Sequence, residues 1–181
     1  MKTGNKSIDF GLGDVDLHKD FLSLNRTVLN PLRLKPENIQ VDQESQEYGA
    51  LRFDLEGKKI KFRVGKTTPT KVGHFVTLWK RVGGVTAPHE STDEVDFFVI
   101  GTRHKENIGF FLFSKEVLIQ KKIFSNNGTG GKRGIRVYSP WVLTTSKQAK
   151  STQIWQGKYF CDFSSRASGT DNFKAIWSEG E

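Results

Sequence analysis

Two short apolar runs constrain the fold of this chain more than any other feature. They occupy residues 96–100 and 109–113 and read Asp-Phe-Phe-Val-Ile and Gly-Phe-Phe-Leu-Phe. A strand with one face in water alternates apolar and polar residues, whereas these runs are apolar at successive positions. Both faces of each strand must therefore be covered. The runs predict interior strands of a mixed central sheet flanked by helices, which is an α/β or α+β architecture.

The rest of the chain supplies the covering elements. An apolar stripe at helical spacing consists of Leu17, Phe21, Leu24 and Val28. It predicts a helix that begins at Asp14 or Asp16 and ends at Leu29, before Asn30 and Pro31. Residues 32–46 are expected to form an irregular connection, with one helical turn after Pro36.

Further strands and helices follow along the chain. Residues 48–55 predict a strand that turns at Glu56-Gly57 into a second strand at 58–64. Ser114 is expected to cap a helix over 115–122, and Ser146 a helix that continues to Phe160 with Trp155 and Tyr159 on its apolar side. Between these helices, residues 125–138 read as a glycine-rich basic loop that leads into a short strand.

Length and composition favour one domain. The chain has 181 residues, a length at which a single hydrophobic core is usual. We assign residues 1–163 to one α/β domain and expect residues 164–181, which are polar and irregular, to form a loosely ordered C-terminal tail. The central core is predicted to consist of Phe62, Val76, Leu78, Phe98, Val99, Phe111 and Leu112.

Charge is the main indication of function. The chain has a formal net charge of +8 and a pI near 9.6, which favours a polyanionic partner. Residues 58–81 contain eight Lys or Arg and no carboxylate. Cations at 59, 61 and 63 alternate with apolar residues at 60, 62 and 64, which predicts a strand with a wholly cationic wet face. A second strand-like run at 74–81 completes the expected basic hairpin.

We therefore expect this hairpin and the glycine-rich loop to contact the backbone of DNA or RNA. The predicted nucleic-acid contacts are Lys59, Lys61, Arg63, Lys66, Lys71, Lys80, Arg81, Lys132, Arg133 and Arg136. The sequence does not distinguish DNA from RNA, and it does not predict an oligomeric state.

Several classes of function require residues that this sequence does not contain. We find no apolar run long enough to span a bilayer and no secretory leader at Met1, so a cytoplasmic location is expected. The single cysteine, Cys161, suits a reducing compartment and is expected to be a packing residue. Four scattered histidines and one cysteine do not form a zinc motif, so no cofactor is expected.

One arrangement resembles an enzyme scaffold. In metal-dependent nucleases of the PD-(D/E)XK superfamily, an Asp at the start of one strand and a (D/E)xK motif at the end of the next bind a divalent cation. Asp96 and Lys115 take two of these places, but Phe113 stands where the second acid belongs. Glu44 or Glu47 could supply a displaced carboxylate, in which case magnesium or manganese would be the expected cofactor.

Four longer segments resemble the MepB family. They are EYGALRF from Glu47, FRVGKTTPTKVGHFVTLWKR from Phe62, GKRGIRVYSPW from Gly131 and SKQAKSTQIWQGKYF from Ser146. The resemblance covers most of residues 44–160. It implies a small bacterial cytoplasmic protein, found in some species beside multidrug-efflux genes, with a fold similar to restriction-endonuclease-like domains and no established activity.

Three functional hypotheses follow. The first is a nucleic-acid-binding protein on a nuclease-like scaffold, without catalytic activity. The second is a divalent-metal-dependent nuclease that uses Asp96, Lys115 and a displaced glutamate such as Glu47. The third is an accessory protein that binds another protein through its aromatic residues. An assay of nucleic-acid binding and cleavage distinguishes them. Binding without cleavage supports the first hypothesis, cleavage that requires a metal supports the second, and neither binding nor cleavage supports the third.

Overall fold

The computed structural model describes residues 16–164 and 169–180. Over these residues the helices are α1 (Lys19–Leu24), α2 (Lys115–Gln120), α3 (Lys147–Gly157) and α4 (Gly169–Glu179). The strands are β1 (Glu37–Val41), β2 (Leu51–Leu55), β3 (Lys58–Val64), β4 (Lys66–Thr68), β5 (Lys71–Thr77), β6 (Trp79–Val82), β7 (Val85–Pro88), β8 (Phe97–His104), β9 (Asn107–Ser114), β10 (Ser125–Asn126), β11 (Thr129–Gly130), β12 (Gly134–Val137) and β13 (Phe160–Asp162).

A six-stranded mixed sheet lies at the centre, in the order β1-β2-β3-β8-β9-β13. Its neighbouring strands are antiparallel except for β3 and β8, which run parallel with Ile60 opposite Phe97. A smaller sheet in the order β12-β5-β4 lies beside it, together with two short hairpins. The prediction of an α+β fold with a mixed central sheet is confirmed.

The two apolar runs form β8 and β9, and each strand contributes to two cores. One core, called the first core below, is closed by α1 and α4 and contains Phe97, Val99, Phe110 and Leu112. The second core is covered by the small sheet and α2 and contains Phe98, Ile100, Phe111 and Phe113. All seven predicted core residues are buried. They are divided between the two cores because successive side chains of a strand point to opposite faces.

The first helix begins later than predicted. His18 caps α1, since its Nδ1 accepts a hydrogen bond of 3.1 Å from the Asp20 backbone N–H. The helix therefore starts at Lys19 rather than at Asp16, and Asp14 lies outside the described residues. After Leu24 the chain continues as a π-helical turn, Asn25–Leu29. All four residues of the predicted apolar stripe, Leu17, Phe21, Leu24 and Val28, are buried.

The connection after the first helix contains a strand where an irregular segment was predicted. Strand β1 pairs antiparallel with β2 at the sheet edge, with Gln40 opposite Arg52. Only Ile39 in this strand is buried, so the apolar alternation that marks a strand is nearly absent. The register also shifts between Glu37 and Gln40. An edge strand with one buried residue leaves almost no periodic signal in a sequence.

The predicted tight turn at Glu56-Gly57 is confirmed. Both residues have positive φ angles, 50° and 80°, as the central residues of a type I′ hairpin turn require. Strands β2 and β3 pair on either side of it, with Leu55 opposite Lys58.

Residues 58–81, in contrast, do not form one basic hairpin. Strand β3 belongs to the central sheet, β5 pairs with β4 and β12 in the smaller sheet, and β6 pairs with β7 around Gly83-Gly84. The chain leaves the central sheet at Gly65, where a Cβ atom would lie 2.8 Å from the His74 Cβ. The predicted basic stretch is therefore divided among three sheets.

The predicted helix caps are confirmed. Ser114 Oγ accepts from the Val117 backbone N–H at the start of α2, and Ser146 Oγ accepts from the Ala149 N–H at the start of α3. Helix α3 ends at Gly157 rather than at Phe160, because Phe160 begins strand β13 at the opposite edge of the central sheet from β1.

The C-terminal segment contains a packed helix rather than the loosely ordered tail expected there. Helix α4 buries Phe173, Ile176 and Trp177 in the first core. The Trp177 ring stacks on Phe97 with 4.9 Å between centroids, and its Nε1 donates to Glu56 at 3.0 Å. None of the helices in residues 16–164 and 169–180 has the length and apolar character needed to cross a membrane.

Candidate nucleic-acid interface

Most of the predicted cations of residues 58–81 already have a carboxylate partner. Lys59 pairs with Asp54 at 2.9 Å, Lys66 with Glu47 at 2.9 Å, Lys80 with Asp93 at 2.5 Å, and Arg81 with Glu44. No carboxylate occurs within this stretch of the sequence, but carboxylates from other parts of the chain lie beside it in the fold. An ion-paired cation binds a phosphate more weakly than an unpaired one, because the phosphate must first displace the carboxylate partner.

Arg63 is a buried residue, so the predicted wet cationic face is wrong at this position. The residue is 3% exposed, and its Nη2 donates to Asp42 Oδ2 at 3.0 Å. Its Nη1 donates to the Phe62 carbonyl at 2.9 Å. Burial lowers the pKa of Arg63, while the Asp42 carboxylate opposes this effect. The side chain is thus committed to a buried ion pair.

A polar cluster lies beside Arg63. The His89 side chain is buried, and its ring stacks on Phe124 with 5.2 Å between centroids. Its Nδ1–H donates to the Asp93 carboxylate oxygen Oδ2 at 2.8 Å. Burial lowers the pKa of His89 to about 4, so the ring is neutral at pH 7. Burial likewise lowers the pKa of the half-buried Lys61. Asp93 also accepts from Lys80 Nζ, so its carboxylate ties the segment after β7 to β6.

A second carboxylate-free stretch runs from residue 117 to residue 161. Its cations are Lys121, Lys122, Lys132, Arg133, Arg136, Lys147, Lys150 and Lys158. In the part of the chain that the structure describes, none of them forms an ion pair with a carboxylate. The absence of Asp and Glu between Glu116 and Asp162 marks this stretch in the sequence, but only Lys132, Arg133 and Arg136 of its cations were predicted as contacts.

Four cations converge on a cleft between β12 and α3. The cleft has a volume of about 590 Å³, and Lys71, Lys121, Lys132 and Arg136 line it. Lys71 comes from the start of β5, Lys121 from the end of α2, and Lys132 from the glycine-rich loop. Among the described residues, the lining contains no Asp or Glu. We refer to this feature as the basic cleft and to these four residues as the cleft cations.

Arg136 is held in the basic cleft by neutral oxygen atoms. Its Nη1 donates to the carbonyls of Lys71, Val72 and Gly73 at 3.2 to 3.3 Å, and its Nη2 donates to Thr68 Oγ1 at 2.9 Å. These contacts orient the guanidinium without neutralising it. Because a guanidinium has five N–H donors, donors remain for a ligand in the cleft.

Two glutamines fix the helical wall of the basic cleft to its strand wall. Gln156 is fully buried, and its side-chain amide accepts from the Tyr138 N–H at 2.9 Å and donates to the Arg136 carbonyl at 3.1 Å. It thus pairs with the outer edge of β12 as a neighbouring strand would. Gln153 Nε2 donates to the carbonyls of Ser139 and Val142. The cleft is therefore preformed.

Aromatic side chains contribute to the same lining. Tyr138 and Trp155 both border the basic cleft. The Lys121 ammonium lies 5.2 Å from the centroid of the Trp155 ring, and that ring packs against Phe113 with 5.5 Å between centroids. The polar groups of the first turn of α3, including Ser146, complete the rim. Cations, aromatics and hydroxyls thus surround one concave surface.

The candidate metal residues are engaged in structural hydrogen bonds. Asp96 Oδ2 accepts from the Lys59 backbone N–H at 2.7 Å, and Lys115 Nζ donates to the Asp93 carbonyl at 2.7 Å. Glu47 pairs with Lys66 instead. Strand pairing does bring Asp96 and Lys115 together, since the Lys115 N–H donates to the Asp96 carbonyl at 2.8 Å. Within residues 16–164 and 169–180 no three His, Cys, Asp or Glu side chains are grouped to hold a metal ion.

Phe113 and Cys161 are both core residues. Phe113 is fully buried and stacks with Phe111 at 5.5 Å between centroids, so the position of the missing acid points into the second core. Cys161 is fully buried in the first core, and burial raises the pKa of its thiol to about 12. The thiol therefore stays protonated at neutral pH, which fits the expected packing role.

Comparison with known proteins agrees with the resemblance seen in the sequence. A family model described as MepB-like matches residues 42–162, a range that includes all four cleft cations. A solved crystal structure of MepB is similar with a TM-score of 0.71 and 31% sequence identity, covering 81% of this chain and 97% of that chain. No curated protein matches the chain. The chain belongs to the MepB-like family.

Proposed function

We propose that this protein binds nucleic acid on a nuclease-like scaffold, and that the basic cleft is where backbone phosphates bind. The observation that carries this proposal is the segregation of charge. Lys71, Lys132 and Arg136 line one cleft without a carboxylate, whereas Lys59, Lys66 and Arg81 are each paired. A cation that neutralises a phosphate releases a counterion condensed on the nucleic acid, and this release drives binding.

The proposal divides the predicted contacts into two groups. Lys71, Lys132 and Arg136 line the basic cleft, and exposed Arg133 lies beside it; Lys121 joins them. The remaining predicted contacts belong to strands β3, β4 and β6, and most of them are ion-paired. We assign phosphate binding to the first group. Phosphate contacts by the paired cations contribute little binding free energy, because one ion pair is exchanged for another in water.

The proposal does not include catalysis. A metal-dependent nuclease stabilises its transition state with acidic ligands held around a cation. Asp96 accepts from the Lys59 N–H and Glu47 pairs with Lys66, and among the described residues neither carboxylate lies in a group of three that could hold a metal ion. The pairing of Asp96 with Lys115 at adjacent strand ends supports a restriction-endonuclease-like scaffold. We propose a cytoplasmic location on the basis of the single reduced cysteine.

Two triple variants with the same loss of charge test the proposal. The cleft variant carries Lys71→Gln, Lys121→Gln and Lys132→Gln, and it leaves Arg136 to hold the β4–β5 turn. The matched control carries Lys59→Gln, Lys66→Gln and Arg81→Gln. We expect the cleft variant to bind a labelled 20-nucleotide DNA or RNA at least about 10-fold more weakly than wild type, since each lost contact removes counterion release. Fluorescence anisotropy at fixed salt measures this.

The control variant should stay within about 3-fold of wild type, because its cations are compensated before the ligand arrives. Equal losses in the two variants would mean that net charge alone governs binding and would reject the assignment to the cleft. Absence of binding by wild-type protein would reject nucleic-acid binding and favour the protein-binding alternative. Cleavage that requires magnesium or manganese and disappears in Asp96→Ala would favour the nuclease.

A further inference from the structure

The shape of the basic cleft contains information about the form of its ligand. We propose that it binds single-stranded nucleic acid in preference to duplex. This inference rests on the proposed function and makes it more specific. Three features of the described residues carry it: the cations lie inside a concavity, aromatic side chains share that concavity, and its two walls are tied together.

The first feature is the position of the charges. The basic cleft lies between β12 and α3, and two of its cations, Lys121 and Arg136, are half-buried within it. Proteins that read a duplex insert a protruding helix or β-ribbon into a groove about 12 Å wide. Here the protein supplies the concave partner. A volume of about 590 Å³ lies within the range of small-ligand clefts, roughly 300–1,000 Å³. One strand can enter such a space, whereas a double helix cannot.

The second feature is the aromatic lining. Tyr138 and Trp155 border the basic cleft beside the cations. Proteins that bind single strands combine a positively charged groove with aromatic side chains on which unpaired bases stack. The bases of a duplex are stacked on one another and are not available to these side chains. Tyr138 is the more direct candidate, because one neighbour of the Trp155 ring is already Lys121.

The third feature is the resistance of the cleft to widening. The buried Gln156 amide bonds both the N–H of Tyr138 and the carbonyl of Arg136, and Gln153 bonds two further carbonyls. Moving α3 away from β12 would leave the buried Gln156 amide without its partners on this strand, which is unfavourable. The cleft therefore keeps its width and selects the narrower ligand.

The test compares three labelled probes at one salt concentration: a 20-nucleotide single strand of thymidylate, a 20-base-pair duplex and a labelled mononucleotide. We expect the single strand to bind at least about 10-fold more tightly than the duplex. Tyr138→Leu should weaken single-strand binding by about 5- to 100-fold, the effect of losing one stacked base, and should leave duplex binding unchanged. Tyr138→Phe should retain wild-type affinity, since it keeps the ring.

Tyr48→Leu is the matched control, because Tyr48 is a half-buried tyrosine that packs against Phe75 outside the cleft lining. Duplex binding as tight as single-strand binding would overturn the inference and leave the proposed function intact. An unchanged affinity of the Tyr138→Leu variant for the single strand would also overturn the inference and leave the proposed function intact. A mononucleotide that binds as tightly as the strand would assign the cleft to a small nucleotide and overturn it as well. Failure of the proposed function differs from all three, because no probe would then bind.

Discussion

Replacing Asp42 with alanine should lower the free energy of unfolding by about 3–5 kcal/mol. Asp42 is the carboxylate partner of Arg63, at 3.0 Å, and Arg63 is only 3% exposed. Without Asp42 a guanidinium is left in the protein interior, and the Phe62 carbonyl is its remaining hydrogen-bond acceptor among the described residues. A buried charge that has lost its counterion is much more costly than a lost surface ion pair. Urea denaturation of the variant and of wild type measures the difference.

The double variant Asp42→Ala with Arg63→Met separates the ion pair from other effects at Asp42. It removes both charges and keeps an unbranched apolar side chain in place of the arginine. It should recover most of the lost stability, because no unpaired charge remains. A cost below about 1 kcal/mol in the single variant would show that Arg63 reaches water, in which case it could contact phosphate as the sequence predicted.

Replacing Phe111 with alanine should lower the free energy of unfolding by about 3–5 kcal/mol. Phe111 is fully buried in the second core, with Phe113 stacked at 5.5 Å and Phe160 at 4.6 Å between ring centroids. Its position on a central strand prevents the neighbours from closing the cavity. Denaturant unfolding followed by tryptophan fluorescence reports the loss.

Val85→Ala provides the comparison for Phe111. Val85 is 67% exposed at the tip of the β6–β7 hairpin, so its truncation should change the free energy of unfolding by no more than about 0.5 kcal/mol. Similar costs at the two positions would show that the two-core arrangement of β8 and β9 is wrong. So would a cost below about 1 kcal/mol for Phe111→Ala.

The sequence predicted the elements whose signals are local. The apolar runs that became β8 and β9, the Glu56-Gly57 turn and the caps at Ser114 and Ser146 each depend on neighbouring residues. Strand β1 and helix α4 did not carry such a signal. In α4, Phe173, Ile176 and Trp177 have helical spacing, but polar residues surround them. Their burial depends on Phe97 and its neighbours, more than seventy positions earlier in the chain.

The charges illustrate what a sequence does not contain. Arg63 and Arg81 look free because no carboxylate is near them in the chain, yet Asp42 and Glu44 lie beside them in the fold. Conversely, Lys71 and Lys132 are far apart in sequence. The antiparallel pairing of β5 with β12 and the packing of α3 bring them to one cleft. A basic segment therefore indicates the class of partner, but the fold decides which cations remain available.

The salt dependence of binding tests the central claim most directly, because it counts the phosphates that the protein neutralises. The logarithm of the association constant falls linearly with the logarithm of salt concentration, by about 0.7 per contact for a single strand and about 0.9 for duplex DNA. We predict a slope that is shallower by about two units in the cleft variant Lys71→Gln, Lys121→Gln, Lys132→Gln than in wild type, and an unchanged slope in the control Lys59→Gln, Lys66→Gln, Arg81→Gln. A slope that is unchanged in the cleft variant but shallower in the control would contradict the account and assign the interface to strands β3, β4 and β6.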